Sequence, residues 1–176
     1  VGGAQVDVHR TGFASNFATT YGSAVLAEDD GPRVTVDNAH FLDHTEGSSP
    51  SAALGALTGA QLDVRLSTLA DNGGYAVYYD PTTFGGFHGN VVWDNGGGVV
   101  LSNSVGTACN LTQDQRLAGW HDLSVDPRFV VTSRGRHRLD AGSPAVDNCD
   151  DNRHMFGLDG VKRDINIADA GAYEGW

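Results

Sequence analysis

Basic residues are scarce in this chain. Eleven lysines and arginines stand against 22 aspartates and glutamates, and lysine occurs once, at Lys162. The formal net charge of −11 argues against a nucleic-acid partner, whose phosphates are met by Lys and Arg. It also argues against adsorption to anionic lipid, and suits a solvated surface or one that collects cations. Cysteine is nearly absent. Cys109 and Cys149 lie 40 residues apart, which excludes CxxC metal and redox spacings. The two either pair, tying the last repeat to the C-terminal segment and implying a secreted or surface protein, or remain buried thiols. No apolar run approaches the ~20 residues of a membrane-spanning helix, so no membrane insertion is expected. Helical apolar stripes are missing as well. Only Ser51–Ala60 has helical or loop character. There is no phosphate loop, Ser-His-Asp signature, HExxH or haem motif. The Gly-rich stretch 95–98 reads as a corner, because no strand–loop–helix context surrounds it.

What the chain has is a repeat of the form V-x-V-x4-F-x2-N. It runs through Val6, Val8, Phe13 and Asn16, then Val34, Val36, Phe41 and His44, then Leu62, Val64, Leu69 and Asn72, then Gly85, Phe87, Val92 and Asn95. Successive copies start 28, 28 and 23 residues apart, and a decayed fifth copy is expected to start at Thr107 and Cys109. Periods of this size mean stacked units. The apolar pair at a spacing of two is strand periodicity with one buried face. The single apolar residue after it starts a second strand. The Asn sits at a corner, since Asn tolerates left-handed backbone and bonds its own backbone. Gly73-Gly74 and Gly96-Gly97 follow, and a third apolar run comes next, as in Ala24-Val25-Leu26, Val77-Tyr78-Tyr79 and Val99-Val100-Leu101. Three short strands per turn describe a rung of a parallel β-helix. Stacking ~4.8 Å apart aligns Phe13, Phe41, Leu69 and Val92 into an inner apolar ladder, and Asn16, His44, Asn72 and Asn95 into a polar one. Ser51–Ala60 falls in a long insertion of the second rung. One rung cannot bury its own face. The first rung, entered by Val6 with nothing resembling a cap, presents an open edge. The expectation is a processed or truncated chain, or a module whose N-terminal edge is covered by self-association or a partner chain.

Several clusters are candidates for chemistry. Asp147, Asp150, Asp151 and Asp159 form an oxygen-rich group that fits a Ca²⁺ site, without the order of an EF-hand; a solvated loop is the alternative, and no other cofactor is indicated. His40, Asp43 and His44 share one corner. Asp71, His88 and Asp94 on adjacent rungs are the catalytic set if the chain acts on polysaccharide, as carboxylates do in glycoside chemistry. A lyase also needs a basic group in the groove, and the middle rungs carry only Arg65. Surface decoration is the plainer reading. Tyr75, Tyr78, Tyr79, Phe84, Phe87 and Trp93 concentrate in rungs three and four; those facing inward are core, and those facing outward suit stacking on sugar or a partner. Asn110-Leu111-Thr112 fits a glycosylation sequon.

Residues 126–176 read differently from 1–125. Asp126-Pro127-Arg128-Phe129-Val130 is followed by Arg138-Leu139-Asp140-Ala141-Gly142-Ser143-Pro144-Ala145-Val146-Asp147, then Leu158-Asp159-Gly160 and Arg163, then Asp169-Ala170-Gly171-Ala172-Tyr173-Glu174. Pro127 and Pro144 restrain the backbone at strand starts. Ala145-Val146 and Ala172-Tyr173 are expected as strand pieces, and Arg163 lies among Asp159, Asp164, Asp169 and Glu174, as a buried ion pair requires. This order resembles the C-terminal end of secreted bacterial right-handed β-helix proteins of the polymorphic-outer-membrane-protein-like and choice-of-anchor Q kinds. The likeness covers about the last third of the chain. It implies an all-β, right-handed parallel β-helix of about five rungs over 1–125, closed by a segment of the same domain over 126–176. It further implies an extracellular or cell-surface location, and says little about activity. The leading expectation is a non-enzymatic module for adhesion or assembly, part of a filament or larger surface protein. The alternative is a carbohydrate-active β-helix.

Overall fold

Alternating apolar and polar residues commit short segments to strands with one buried face, and the repeat sets where those strands recur. The computed structural model describes residues 3–47, 50–113, 117–133, 135–149, 156–163 and 168–173. The first copy of the repeat forms β1 (Gln5–His9), β2 (Gly12–Ala14), β3 (Phe17–Ala18) and β4 (Tyr21–Ala27). The second forms β5 (Arg33–Asp37), β6 (His40–Leu42), β7 (Thr45–Glu46) and β8 (Ala52–Ala56). The third forms β9 (Gln61–Arg65), β10 (Thr68–Ala70) and β11 (Tyr75–Tyr79). The fourth forms β12 (Phe84–His88), β13 (Val91–Trp93) and β14 (Gly98–Val100), and the fifth β15 (Val105–Ala108) and β16 (Leu111–Thr112). No helix occurs among the described residues.

Equivalent strands of successive copies pair in parallel. They build three sheets, ordered β1-β5-β9-β12-β15, β2-β6-β10-β13-β16 and β4-β8-β11-β14. The arrangement is solenoid-like. Register follows the repeat: Val6 pairs with Val34 and Val8 with Val36, Val34 with Leu62 and Val36 with Val64, and Phe13 with Phe41. Val36, Phe41, Val64, Leu69 and Phe87 are fully buried. The rings of Phe13 and Phe41 stack with centroids 5.1 Å apart.

Three expectations change. The fifth copy starts at Val105 and Thr107, because Gly85 pairs with Val105 and Phe87 with Thr107; Cys109 sits at the corner beyond, with φ 59°. A slip of two residues keeps every side chain on the same face, so periodicity alone cannot detect it. Ser51–Ala60 is not helical. Ala52–Ala56 is β8, buried throughout, since its small residues fit beneath Tyr21. The corner is turned by the residue before the Asn: Ser15, Asp43, Asp71 and Asp94 have φ between 51° and 55°. The Asn side chains instead tie one copy to the next. Asn72 Oδ1 accepts the N–H of His44, Asn95 Oδ1 that of Asn72, and their amides donate to the carbonyls of Phe41 and Leu69. His44 serves in the same ladder, its Nδ1 accepting the N–H of Asn16.

A second ladder runs along the other corner. The N–H of Ala39 is taken by Ser67 Oγ, that of Ser67 by Asn90, that of Asn90 by Asn110 and that of Asn110 by Asp122. Asn90 is fully buried and also donates to the Val64 carbonyl. Asn90→Ala strands the Ser67 N–H and the Val64 carbonyl out of reach of water, so a loss of about 2–4 kcal/mol is expected in urea unfolding. Asn95→Ala, at a half-exposed position, should lose less. Asn110 is likewise buried and its amide is used by Phe87 O and Asp122, so the sequon cannot carry a glycan in the folded chain.

Beyond the last strands the C-terminal segment folds back along the outer face of the second sheet, where His40, Thr68, Val91 and Leu111 are aligned. Trp120 and Leu123 bridge Ala108 and Leu111 in parallel, and β17 (Phe129–Thr132) and β18 (Gly135–Leu139) form an antiparallel hairpin. Leu139, Ala145 and Ala170 pack on Val91 and Leu111. Ala145-Val146 and Ala172-Tyr173 are turns and bends, not strands. Arg163 is buried and donates to the carbonyls of Asp169 and Gly171 and to Asn38 Oδ1. Asp164 and Glu174 lie outside the described residues.

Candidate functional site

The left-handed corner after the second sheet places acidic residues of successive copies one above another. Asp43 and Asp71 are stacked in this way, and their mutual repulsion is offset by one cation from β18. Arg136 pairs with Asp43 and lies 3.7 Å from Asp71. Half of the Arg136 side chain is exposed, so this pairing contributes little to stability on its own.

Beneath it lies a buried polar seam between the second sheet and the C-terminal segment. His137 Nε2 sits 3.0 Å from Asp71 Oδ2. His40, at the start of β6, meets the Tyr173 hydroxyl through Nδ1 at 2.9 Å. The two imidazoles meet edge to face with centroids 5.5 Å apart, and Phe129 packs edge-on against His137. Arg138, fully buried, pairs with Asp159 and lies 4.4 Å above the Tyr173 ring. Burial and the neighbouring His137, Arg136 and Arg138 push the His40 imidazole down to about 3. Burial also lowers His137, against the pull of Asp71. It raises Tyr173, against Arg138. For Asp159 burial acts upward, but the Val161 N–H and Arg138 outweigh it and hold the carboxyl below its ordinary range. At neutral pH the seam therefore holds two uncharged imidazoles. Asp71 orients His137 as a carboxylate orients a general base. His137 Nδ1 and His40 Nε2 are both buried, and among the described residues neither has a hydrogen-bond partner; burial keeps both atoms from a substrate in solution in this conformation. The arrangement fastens the C-terminal segment to the sheets.

The three residues of the alternative catalytic set are distributed differently. Asp71 joins the seam. His88 ends β12 in the first sheet, paired with Arg65 and Ala108. Asp94 lies past the second sheet, exposed, its N–H bonded to Gln113. His40, Asp43 and His44 face three ways: toward Tyr173, toward Arg136 and into the Asn ladder. Of the four calcium candidates, Asp150 and Asp151 lie outside the described residues. Asp159 is taken by Arg138, and the Asp147 N–H bonds Asp169 Oδ1. Among the described residues no group of three or more His, Cys, Asp or Glu is placed to hold a metal.

No disulfide joins Cys109 and Cys149; both are buried thiols. The segments do meet, since Asn148 Nδ2 donates to the Cys109 carbonyl. Each backbone is already held by its own bonds, Cys109 N–H to Trp120 O and Cys149 to Ala168 in both directions. Of the aromatic cluster, Tyr79 and Phe87 are core, Tyr75, Tyr78 and Trp93 half-buried and Phe84 exposed.

The seam residues Arg136, His137, Arg138 and Tyr173 were not singled out by pattern. The available signal was the consecutive Arg136-His137-Arg138 in a chain poor in basic residues. Among the described residues no helix is long and apolar enough to cross a membrane. No protein-family model matches the chain, and no curated protein or solved structure matches it.

Proposed function

We propose that this chain is part of a right-handed parallel β-helix of about five rungs with a C-terminal closing segment. It acts as a non-enzymatic extracellular or cell-surface module for adhesion or assembly. The motifs of residues 126–176 support the family reading and the location. One observation carries the assembly role: the two ends of the stack differ. At the C-terminal end, Trp120 and Leu123 continue the first two sheets by bridging Ala108 and Leu111. At the other end, among the described residues, β1 pairs only with β5, Val6 is 48% and Phe17 59% exposed, and Val8 and Phe13 are half-buried. Parallel strands with unpaired N–H and C=O groups over an apolar interior are a template for another strand. The ladder continues the same logic: His44, Asn72 and Asn95 each bond the copy before them, and Asn16 stands where it would bond one more. The cover is further rungs, a partner chain or the next subunit of a filament. Contact of unlike ends yields an open filament when the rotation does not close.

Light scattering and electron microscopy of the purified chain should show concentration-dependent association, abolished by Val8→Lys. A stable monomer unaffected by that substitution would sink the reading. Incubation with uronate-containing and neutral polysaccharides, with and without Ca²⁺, should yield no product; turnover lost on replacing Asp71, His88 or Asp94 would establish the carbohydrate-active alternative instead.

A further inference from the structure

The third sheet turns Leu54, Val77 and Val99 into the core, all buried. The alternate positions Leu26, Gly55, Tyr78 and Val100, aligned by register, fall on its outer face. Gly55 leaves a gap there, and Tyr21 from the first copy fills it: a Cβ on Gly55 would come within 2.9 Å of Tyr21 Cβ. Tyr21 reaches across to stack on Tyr78 with centroids 4.4 Å apart and planes 28° apart. Tyr75 stands 6.2 Å from Tyr78. The result is a tyrosine ridge running along the stacking direction.

Beside Tyr78 lies an open groove of about 210 Å³, lined by Tyr78, Tyr79, Pro81, Val100, Leu101, Ser102 and Asn103. That is smaller than sites enclosing a whole small molecule, about 300–1,000 Å³, so the groove suits one ring of a longer ligand. None of these side chains is charged at neutral pH, in a chain whose net charge is −11. Tyr78 and Pro81 supply apolar ring faces, Val100 and Leu101 an apolar floor, and the exposed Asn103 an amide at the rim. Ser102 is held in place by its bond to the Thr83 carbonyl. A lining with apolar walls, a polar rim and no charge suits a ligand of the same make-up: apolar faces, hydroxyl edges and no ionic group.

We propose that this groove binds a neutral saccharide, one sugar ring lying against Tyr78 with Asn103 bonding its hydroxyls and the rest of the chain following the ridge toward Tyr21. An acidic sugar is disfavoured, because among the described residues no cation lines the groove and the chain carries a net charge of −11. The groove itself lies on the third and fourth copies, away from β1, so its amides report binding independently of assembly.

The test is amide-resolved NMR titration of the intact chain with neutral gluco-, manno- and galacto-configured hexasaccharides, and with an oligogalacturonate of equal length. At least one neutral sugar should shift the amides of Tyr78, Val100, Leu101 and Asn103 saturably, and the uronate should not. Tyr78→Ala should weaken binding about tenfold. Asn103→Ala, an exposed change that leaves the fold intact, should weaken it roughly three- to tenfold. Phe84→Ala, an exposed aromatic of the first sheet, should leave it unchanged. Unshifted groove amides with every neutral sugar overturn the proposal, as do equal binding of the uronate and indifference to Asn103→Ala.

Discussion

Acidification should begin to destabilise this protein before its carboxylates are titrated. His40 is buried and neutral, with its imidazole pushed down to about 3, whereas in the unfolded chain it titrates near the ordinary value of about 6.5. The unfolded state therefore binds more protons than the folded one between these limits. The stability this group contributes is complete above about pH 6.5 and is lost progressively as pH falls toward 3. The full loss is on the order of 5 kcal/mol, of which about 3 kcal/mol is gone by pH 4.5. His44 and His137 are lowered chiefly by burial and act in the same direction. Asp80 and Asp159, held below the ordinary range, lose their contribution only at lower pH. Urea unfolding at pH 7.5 and pH 4.5 measures the total. His40→Leu, similar in bulk and unable to titrate, isolates the imidazole. It will be less stable at pH 7.5, having lost the Tyr173 bond, but should lose about 3 kcal/mol less than the parent between the two pH values. Equal losses in parent and variant would show that His40 is not a buried neutral group.

Phe41→Ala should cost about 3–5 kcal/mol. Phe41 is fully buried, lies between Phe13 and Leu69 in the inner ladder, and stacks on Phe13 with planes 4° apart. Strands of neighbouring copies are hydrogen-bonded above and below it, so the surroundings cannot collapse into the cavity. Phe13→Ala removes the same atoms from the first copy, where the residue is half-buried, and should cost distinctly less. The ratio of the two, from urea midpoints at pH 7.5, reports how strongly stability depends on having a copy on both sides. Equal costs would mean that Phe13 is covered in solution, which association through β1 also accomplishes.

The repeat was legible because its information is local. A spacing of two selects a strand face, and a recurrence near 28 residues selects the stacking partner. Val34, Val36, Leu62, Val64, Phe41 and Leu69 accordingly fall at the paired, buried positions expected of them. Side-chain chemistry also marked the Asn ladder, although its role is to bond the neighbouring copy while the residue before it turns the corner. Reading failed where local signals are weak or even. Ala52–Ala56 lacks β-branched residues and is a strand because β4 and β11 pair with it on either side. The fifth copy slid by two residues, since Thr107 and Cys109 alternate as Val105 and Thr107 do.

The polar seam was beyond any local pattern. His137 meets Asp71 from 66 residues away and Tyr173 meets His40 from 133, and no periodicity encodes a contact made when a hairpin folds back over a finished stack. The same holds for Cys109 and Cys149, whose segments meet through Asn148 and the Cys109 carbonyl, and for Asn110, whose sequon gives no sign of burial. The sequence alone determined that strands would form, which face each would bury and that copies would stack, because those follow from spacing and side-chain polarity along the chain. Which polar groups were taken out of water, and hence which histidines stay neutral, was decided only by tertiary structure, because desolvation depends on what packs over a residue and not on its neighbours in sequence.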